Sequence, residues 1–89
     1  MEFEFDESKS LSNREKHGID FPSARALWDD PDRLEIPART EDESRFLVIG
    51  RIGSRVWSAV TTPRGDRIRI ISVRPARRKE VPFYEGEGI

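Results

Sequence analysis

Residues 45–74, RFLVIGRIGSRVWSAVTTPRGDRIRIISVR, decide the fold class. Three runs, Arg45–Ile52, Arg55–Thr62 and Arg67–Arg74, read strongly as strands. Gly53-Ser54 is a tight hairpin connection, and Pro63-Arg64-Gly65-Asp66 is a turn with proline and glycine where a turn needs them. The third run departs from clean alternation. Ile68 and Ile70 lie on one face, while Ile71 and Val73 share the other with Arg67 and Arg69. Either both faces are partly covered or a bulge shifts the register.

Upstream, Arg33–Ile36 reads as a weaker strand, and Asp29-Asp30-Pro31-Asp32 stops whatever precedes it. Phe21, Ala24, Leu27 and Trp28 recur at helical spacing after Asp20 and Pro22, which mark a helix start. Residues 7–17 predict a polar helix, N-capped by Asp6 and ended by Gly18, with Leu11 as its single strongly apolar residue and hence one narrow core-facing stripe at most. Phe3 and Phe5 alternate with Glu2 and Glu4 as in a short half-buried strand. Downstream, Glu41-Asp42-Glu43 belongs to a polar loop, Ala76–Val81 allows a short helix limited by Pro82, and Phe83 to Ile89 reads as a loosely held tail. The order is β-α-α-β-β-β-β with room for a short C-terminal helix. That predicts an α+β domain, two N-terminal helices packed on an antiparallel sheet.

The chain has 89 residues, 35% hydrophobic and 37% charged, with no cysteine and a formal net charge of −1. This length predicts one domain over residues 1–89. No apolar stretch is long enough to span a bilayer, no signal peptide is visible and no disulfide can form, so the expected location is the cytoplasm. The near-zero total hides an asymmetry: residues 1–43 carry 13 acidic and 6 basic side chains, residues 44–89 carry 4 and 10. Arg64, Arg67, Arg69, Arg74, Arg77, Arg78 and Lys79 face one acid, Asp66, within Arg64–Lys79. Such a cluster can bind a polyanion; equally, it can be a solvated surface paired with the acidic half.

One histidine and no cysteine exclude Cys–His catalysis, and a zinc site built on His17 would lack its nitrogen ligands. No phosphate-cradling glycine loop or nucleophile elbow is present. What remains is Lys16-His17-Gly18, the arginine-rich segment and Tyr84, groups that suffice for metal-free RNA cleavage: one removes the 2′-hydroxyl proton, cations hold the phosphate, another protonates the leaving 5′-oxygen. Read blandly, His17 is a helix C-terminal residue whose charge suits the dipole, and Tyr84 is an aromatic anchor. A different class is a binding module, supported by the thin apolar coverage of helix 7–17 and a partly exposed apolar face around Ile71 and Val73. Direct DNA recognition is disfavoured because no helix carries a basic recognition face.

The order of residues is more specific than the inventory. Phe3-Glu4-Phe5-Asp6-Glu7-Ser8-Lys9, Asn13, Lys16-His17-Gly18-Ile19, Phe21, Ala24-Arg25, Asp29-Asp30-Pro31, Arg45-Phe46, Gly50, Thr62-Pro63-Arg64-Gly65, Arg69-Ile70-Ile71-Ser72-Val73-Arg74, Arg77, Glu80 and Tyr84 together resemble the BrnT family of type II toxin–antitoxin toxins. The resemblance implies a RelE-like α+β fold and a ribonuclease that arrests translation without metal or cofactor. It also implies a BrnA-type antitoxin that neutralises the toxin and, through its DNA-binding part, autorepresses the operon. Carried over residue by residue, the catalytic set is Arg64 and Arg74 on the phosphate, Lys16 and His17 in proton transfer or RNA positioning, with Glu80 and Tyr84 in support. Arg67, Arg69, Arg77, Arg78 and Lys79 are then RNA-binding cations. The chain departs from the family pattern at Phe5, Ser44, Pro75 and Pro82; the two prolines fall where the terminal helix usually runs and restrict the backbone around Tyr84.

Overall fold

In the computed structural model the elements follow as β1 (Glu2–Glu4), α1 (Glu7–His17), α2 (Phe21–Ala24), a 3-10 turn (Arg25–Asp29), β2 (Leu34–Ala38), β3 (Arg45–Ile52), β4 (Arg55–Arg64), β5 (Arg67–Pro75) and α3 (Val81–Tyr84). The structure describes residues 1–38 and 43–86; Glu41 and Asp42 of the expected polar loop and residues 87–89 of the tail lie outside them. The class is α+β, with one five-stranded sheet in the order β1-β5-β4-β3-β2.

Gly53 and Gly65 take φ of 62° and 61° at the first position of two-residue turns, the sign a type II′ hairpin needs and one that residues with a Cβ avoid. These turns set β3, β4 and β5 antiparallel, and β2 adds antiparallel to β3. Pro37 sits in β2, an edge strand, where a missing N–H breaks no central ladder. The sheet is mixed, which corrects the antiparallel expectation: β1 runs parallel to β5, with Glu2, Phe3 and Glu4 opposite Arg67, Ile68 and Arg69. That placement lets Phe3 meet Trp28 edge-on at 4.8 Å between ring centroids and brings Glu2 and Glu4 to the two arginines.

The parity conflict in β5 is resolved by a bulge. Val60 pairs with Ser72 but Thr61 pairs with Ile70, leaving Ile71 as the extra residue. Val73 and Ile70 therefore face the same side, where both are buried with Phe21, Ala24, Leu27, Val48 and Ala59. Val73 is thus core, so of the partly exposed apolar face expected around Ile71 and Val73 only Ile71, half-buried, remains.

The second expected helix breaks after one turn of α2 and tightens into the 3-10 turn. Its fully buried residues Phe21, Ala24 and Leu27 are spaced by three, and 3-10 winding keeps i and i+3 in line. Burying Phe21 and Leu27 supplies roughly 1.5–3 kcal/mol each. Gly50 lies beneath them: a Cβ there would stand 3.0 Å from Leu27 Cδ2.

Helix α1 docks differently from its sequence expectation. Leu11 is 58% exposed, and the buried positions are Ser10 and Asn13. The Phe21 N–H donates to Ser10 Oγ at 3.0 Å; Asn13 Nδ2 donates to the Ile19 carbonyl at 2.8 Å, and its Oδ1 accepts from the Val73 N–H at 3.0 Å. Hydrogen bonds to otherwise unpaired backbone groups hold this helix where an apolar stripe would usually do so.

Candidate active site

The sheet face opposite the helix-covered core carries Arg74, Ser58 and Ile49, neighbours across β5, β4 and β3. The chain leaving β5 doubles back over them. The Ala76 N–H donates to the Val56 carbonyl at 3.0 Å, and the Glu80 and Val81 N–H groups donate to the Arg77 carbonyl, so residues 77–80 form a turn. The short helix expected at Ala76–Val81 instead starts at Val81 and ends at Tyr84. Pro82 lies in its first turn, where a proline is harmless, and Glu80 is its N-cap residue, whose carbonyl accepts the Tyr84 N–H.

Glu80 lies under that turn, its side chain 11% exposed and that of Arg74 22%. Arg74 Nη1 donates to Oε1 at 2.7 Å and Nη2 to Oε2 at 2.9 Å, a fork-to-fork pair. Oε1 also accepts from Ser58 Oγ at 2.9 Å and from the Arg77 N–H at 2.7 Å. These donors, Arg74 foremost, outweigh the cost of burial and hold the Glu80 carboxyl down at about 2; the same bond raises Arg74. The pair is therefore fully ionised at neutral pH and electrically cancelled. Arg74 spends two of its five N–H donors on Glu80 and one weaker contact on the Pro75 carbonyl, leaving an edge for a further acceptor.

A second carboxylate holds the end of the strap. Tyr84 Oη donates to Asp30 Oδ2 at 2.6 Å, and that carboxylate also accepts from the N–H groups of Arg51 at 2.8 Å and Asp32 at 2.9 Å. Burial alone would raise Asp30, but the donors win and lower it, while the Asp30 bond raises the Tyr84 phenol. The Arg51 guanidinium lies 5.7 Å from the Tyr84 ring centroid. Tyr84 is anchored, not loosely held as the tail was expected to be, and its hydroxyl is committed as a donor.

Lys16 and His17 close α1, whose Asn13 is fixed to Val73, the residue before Arg74. Three and four residues on, they stand about 5–6 Å further along the helix axis. Gly18, at φ 82°, ends the helix with its N–H on the Arg14 carbonyl. Among the described residues, neither side chain makes a hydrogen bond or ion pair with the Arg74–Glu80 pair. The structure thus gathers Arg74, Glu80 and the Arg77–Lys79 turn, while Lys16 and His17 end the helix whose Asn13 bonds the Val73 backbone.

Arg64 is elsewhere. It ends β4 beside the Gly65 turn and pairs in register with Arg67, seven residues before Arg74. At about 3.3 Å per residue that separates Arg64 from Arg74 by about 20 Å, too far to share one phosphate. Arg64 is exposed and, among the described residues, forms no side-chain hydrogen bond or ion pair. Arg67 and Arg69 beside it are paired, at 3.5 Å with Glu2 and 3.0 Å with Glu4. Arg77, Arg78 and Lys79 are all exposed.

The sequence reading missed Ser58, Asp30 and Asn13 as working polar groups. Ser58 carried a signal, a hydroxyl residue inside the apolar run of β4; Asp30 was read only as a helix stop. Among the described residues no three His, Asp or Glu side chains gather as a metal ion would require, and no helix is long and apolar enough to cross a membrane.

The sequence from residue 5 to residue 80 matches the family model described as the ribonuclease toxin BrnT of type II toxin–antitoxin systems. Glu80 is the last matched residue, and Tyr84 falls outside the match. No curated protein matches the chain.

Proposed function

The chain belongs to the BrnT family of ribonuclease toxins of type II toxin–antitoxin systems, and we propose that it cleaves RNA without a metal ion, using the C-terminal end of β5 as its active site. Family membership implies an RNA substrate and an antitoxin partner. The observation that carries the reading is the grouping of Arg74 and the exposed Arg77-Arg78-Lys79 turn at one strand end, with α1, which ends in Lys16-His17, bonded through Asn13 to the neighbouring Val73.

In this reading the turn and the free edge of Arg74 hold the phosphate. One of Lys16 and His17 accepts the proton of the ribose 2′-hydroxyl as that oxygen attacks phosphorus, and the other donates a proton to the departing 5′-oxygen. A 2′,3′-cyclic phosphate and a free 5′-hydroxyl result. Arg64, about 20 Å away by strand rise, binds a phosphate several nucleotides along the strand. Glu80 and Tyr84 support the site without touching the reacting atoms. The five-stranded sheet with α1 and α2 on its core side supports a single RelE-like domain over residues 1–89. A BrnA-type antitoxin would cover the basic end and, with the toxin, autorepress the operon in the cytoplasm.

A second reading is favoured by one observation: Arg74 is cancelled by Glu80, as Arg67 and Arg69 are by Glu2 and Glu4. A catalytically weak member would then serve mainly as the antitoxin's partner in a repressor complex. The test is incubation of antitoxin-free protein with RNA in EDTA, beside Arg74→Ala. Loss of full-length RNA with the native protein alone supports the first reading. Intact RNA, together with harmless expression in cells lacking the antitoxin, establishes the second.

A further inference from the structure

The Arg77–Glu80 turn is closed from both sides. The Glu80 N–H donates to the Arg77 carbonyl at 2.8 Å, and the Glu80 carboxylate takes the Arg77 N–H at 2.7 Å. The second bond is the glutamate half of a capping box, a carboxylate reaching back to the N–H three residues earlier, and the first is a backbone turn bond. The same carboxylate is bolted to the sheet through Arg74 and Ser58. Arg77, Arg78 and Lys79, which occupy the rest of the turn, are exposed. Three adjacent cations repel one another, and the segment offers no large apolar side chain to hold it down. Left to itself it would sample many conformations and pay their entropy on meeting a polyanion.

We propose that Glu80 is a positioning residue: by clamping the Arg77 backbone to the Arg74–Ser58 face, it presents the side chains of Arg77, Arg78 and Lys79 as one preformed contact surface for the phosphates of single-stranded RNA. The proposal rests on the ribonuclease reading above and names the part of the chain that grips the substrate. Glu80 itself, an anion beneath the turn, does not contact RNA; without it the three side chains do not reach the phosphates together, and those contacts are lost.

The experiment uses the full chain and a single-stranded RNA carrying 2′-O-methyl groups, which binds but cannot be cut by 2′-hydroxyl attack. Affinity is measured across a range of salt concentrations. Each phosphate contact adds about 0.7 to the slope of log affinity against log salt on a single strand, so three cations account for about 2. Glu80→Asp keeps a buried charge for Arg74 but is one carbon too short to reach the Arg77 N–H as well. It should lower the slope by about 1–2, as should the triple variant Arg77→Ala, Arg78→Ala, Lys79→Ala. Combining the two should lower it no further. Glu80→Gln, which is harsher, should match if thermal unfolding shows it folded; if it unfolds, Glu80→Asp decides. A folded Glu80→Asp with the native slope, or one whose loss adds in full to that of the triple variant, overturns the positioning role while leaving the ribonuclease reading intact. A native protein with no salt-dependent affinity for RNA overturns both.

Discussion

The two ends of β5 are both arginine-rich, yet they use arginine for different work. At the N-terminal end Arg67 and Arg69 reach across to Glu2 and Glu4, with side chains 58% and 31% exposed. At the C-terminal end Arg74 is locked by two short bonds to a carboxylate that is itself almost enclosed. Solvent screens the Arg67–Glu2 pair and costs it side-chain entropy, so it contributes little, and the part-buried Arg69–Glu4 pair stands between the two extremes. Around the Arg74–Glu80 pair, water is scarce and each partner needs the other, so removing one leaves a buried charge without compensation. Identical residue types thus act as surface decoration at one end of a strand and as a fastening at the other.

The largest test of that contrast is Glu80→Gln. Loss of the clamp should cost about 3 kcal/mol of stability, a fall in Tm of more than 10 °C for a domain this small. The effect has a pH signature. Because the folded-state pKa of Glu80 is depressed from 4.5 to about 2, its contribution is complete above about pH 5 and is lost as the pH falls through 4.5 toward 2. Unfolding curves of the native protein and Glu80→Gln should therefore stand well apart at pH 7 and converge near pH 2. A gap that persists at pH 2 would show that packing, not the ionised carboxylate, supplies the difference.

Next comes Arg64→Ala, which removes an exposed cation that has no ion-pair partner among the described residues. RNA cleavage should fall roughly 10- to 100-fold, about 1.4–2.7 kcal/mol in transition-state stabilisation, with Tm unchanged within about 2 °C. Cleavage at the native rate would remove the N-terminal end of β5 from the substrate path. Smaller again is Tyr84→Phe, which keeps the ring beside Arg51 but deletes the donor to Asp30; about 1–1.5 kcal/mol of stability should be lost. Calorimetry or chemical denaturation would check it, and an unchanged stability would mean that the strap is held by Glu80 alone. Smallest is Arg67→Ala, whose ion pair at 3.5 Å lies in open solvent. Its stability change should stay within about 0.5 kcal/mol, and a loss above 1 kcal/mol would erase the distinction between the two ends.

A sequence can declare that residues 45–74 are three strands with two tight turns, because alternation, glycine and proline act within a few residues of one another. The same holds for the Asp6 and Gly18 caps and for the Phe21, Ala24 and Leu27 core positions, all of which are found in place. The residue order also declared the family, since the matching blocks run in sequence over most of the chain. The local parity conflict around Ile70 and Ile71 announced the bulge without deciding it; the bulge formed because it lets Val73 and Ile70 share the helix-covered side.

Other features were set by partners distant in the chain. Asn13 looked like one polar residue among many in α1, and became its main anchor only because Val73, 60 residues on, has a backbone N–H left unpaired by the short β1. Glu80 looked like a minor companion of the arginine run, and its role depends on Ser58 arriving from β4. The parallel pairing of β1 likewise depends on where the helices deliver Phe3 to Trp28. Periodicity and turn chemistry are local and are written in consecutive residues. The sequence by itself determined the strands, the caps, the apolar face and the family. Tertiary structure alone decided which charges are free and which are bolted, because the energy of a charge depends on what surrounds it, and its surroundings come from the whole chain.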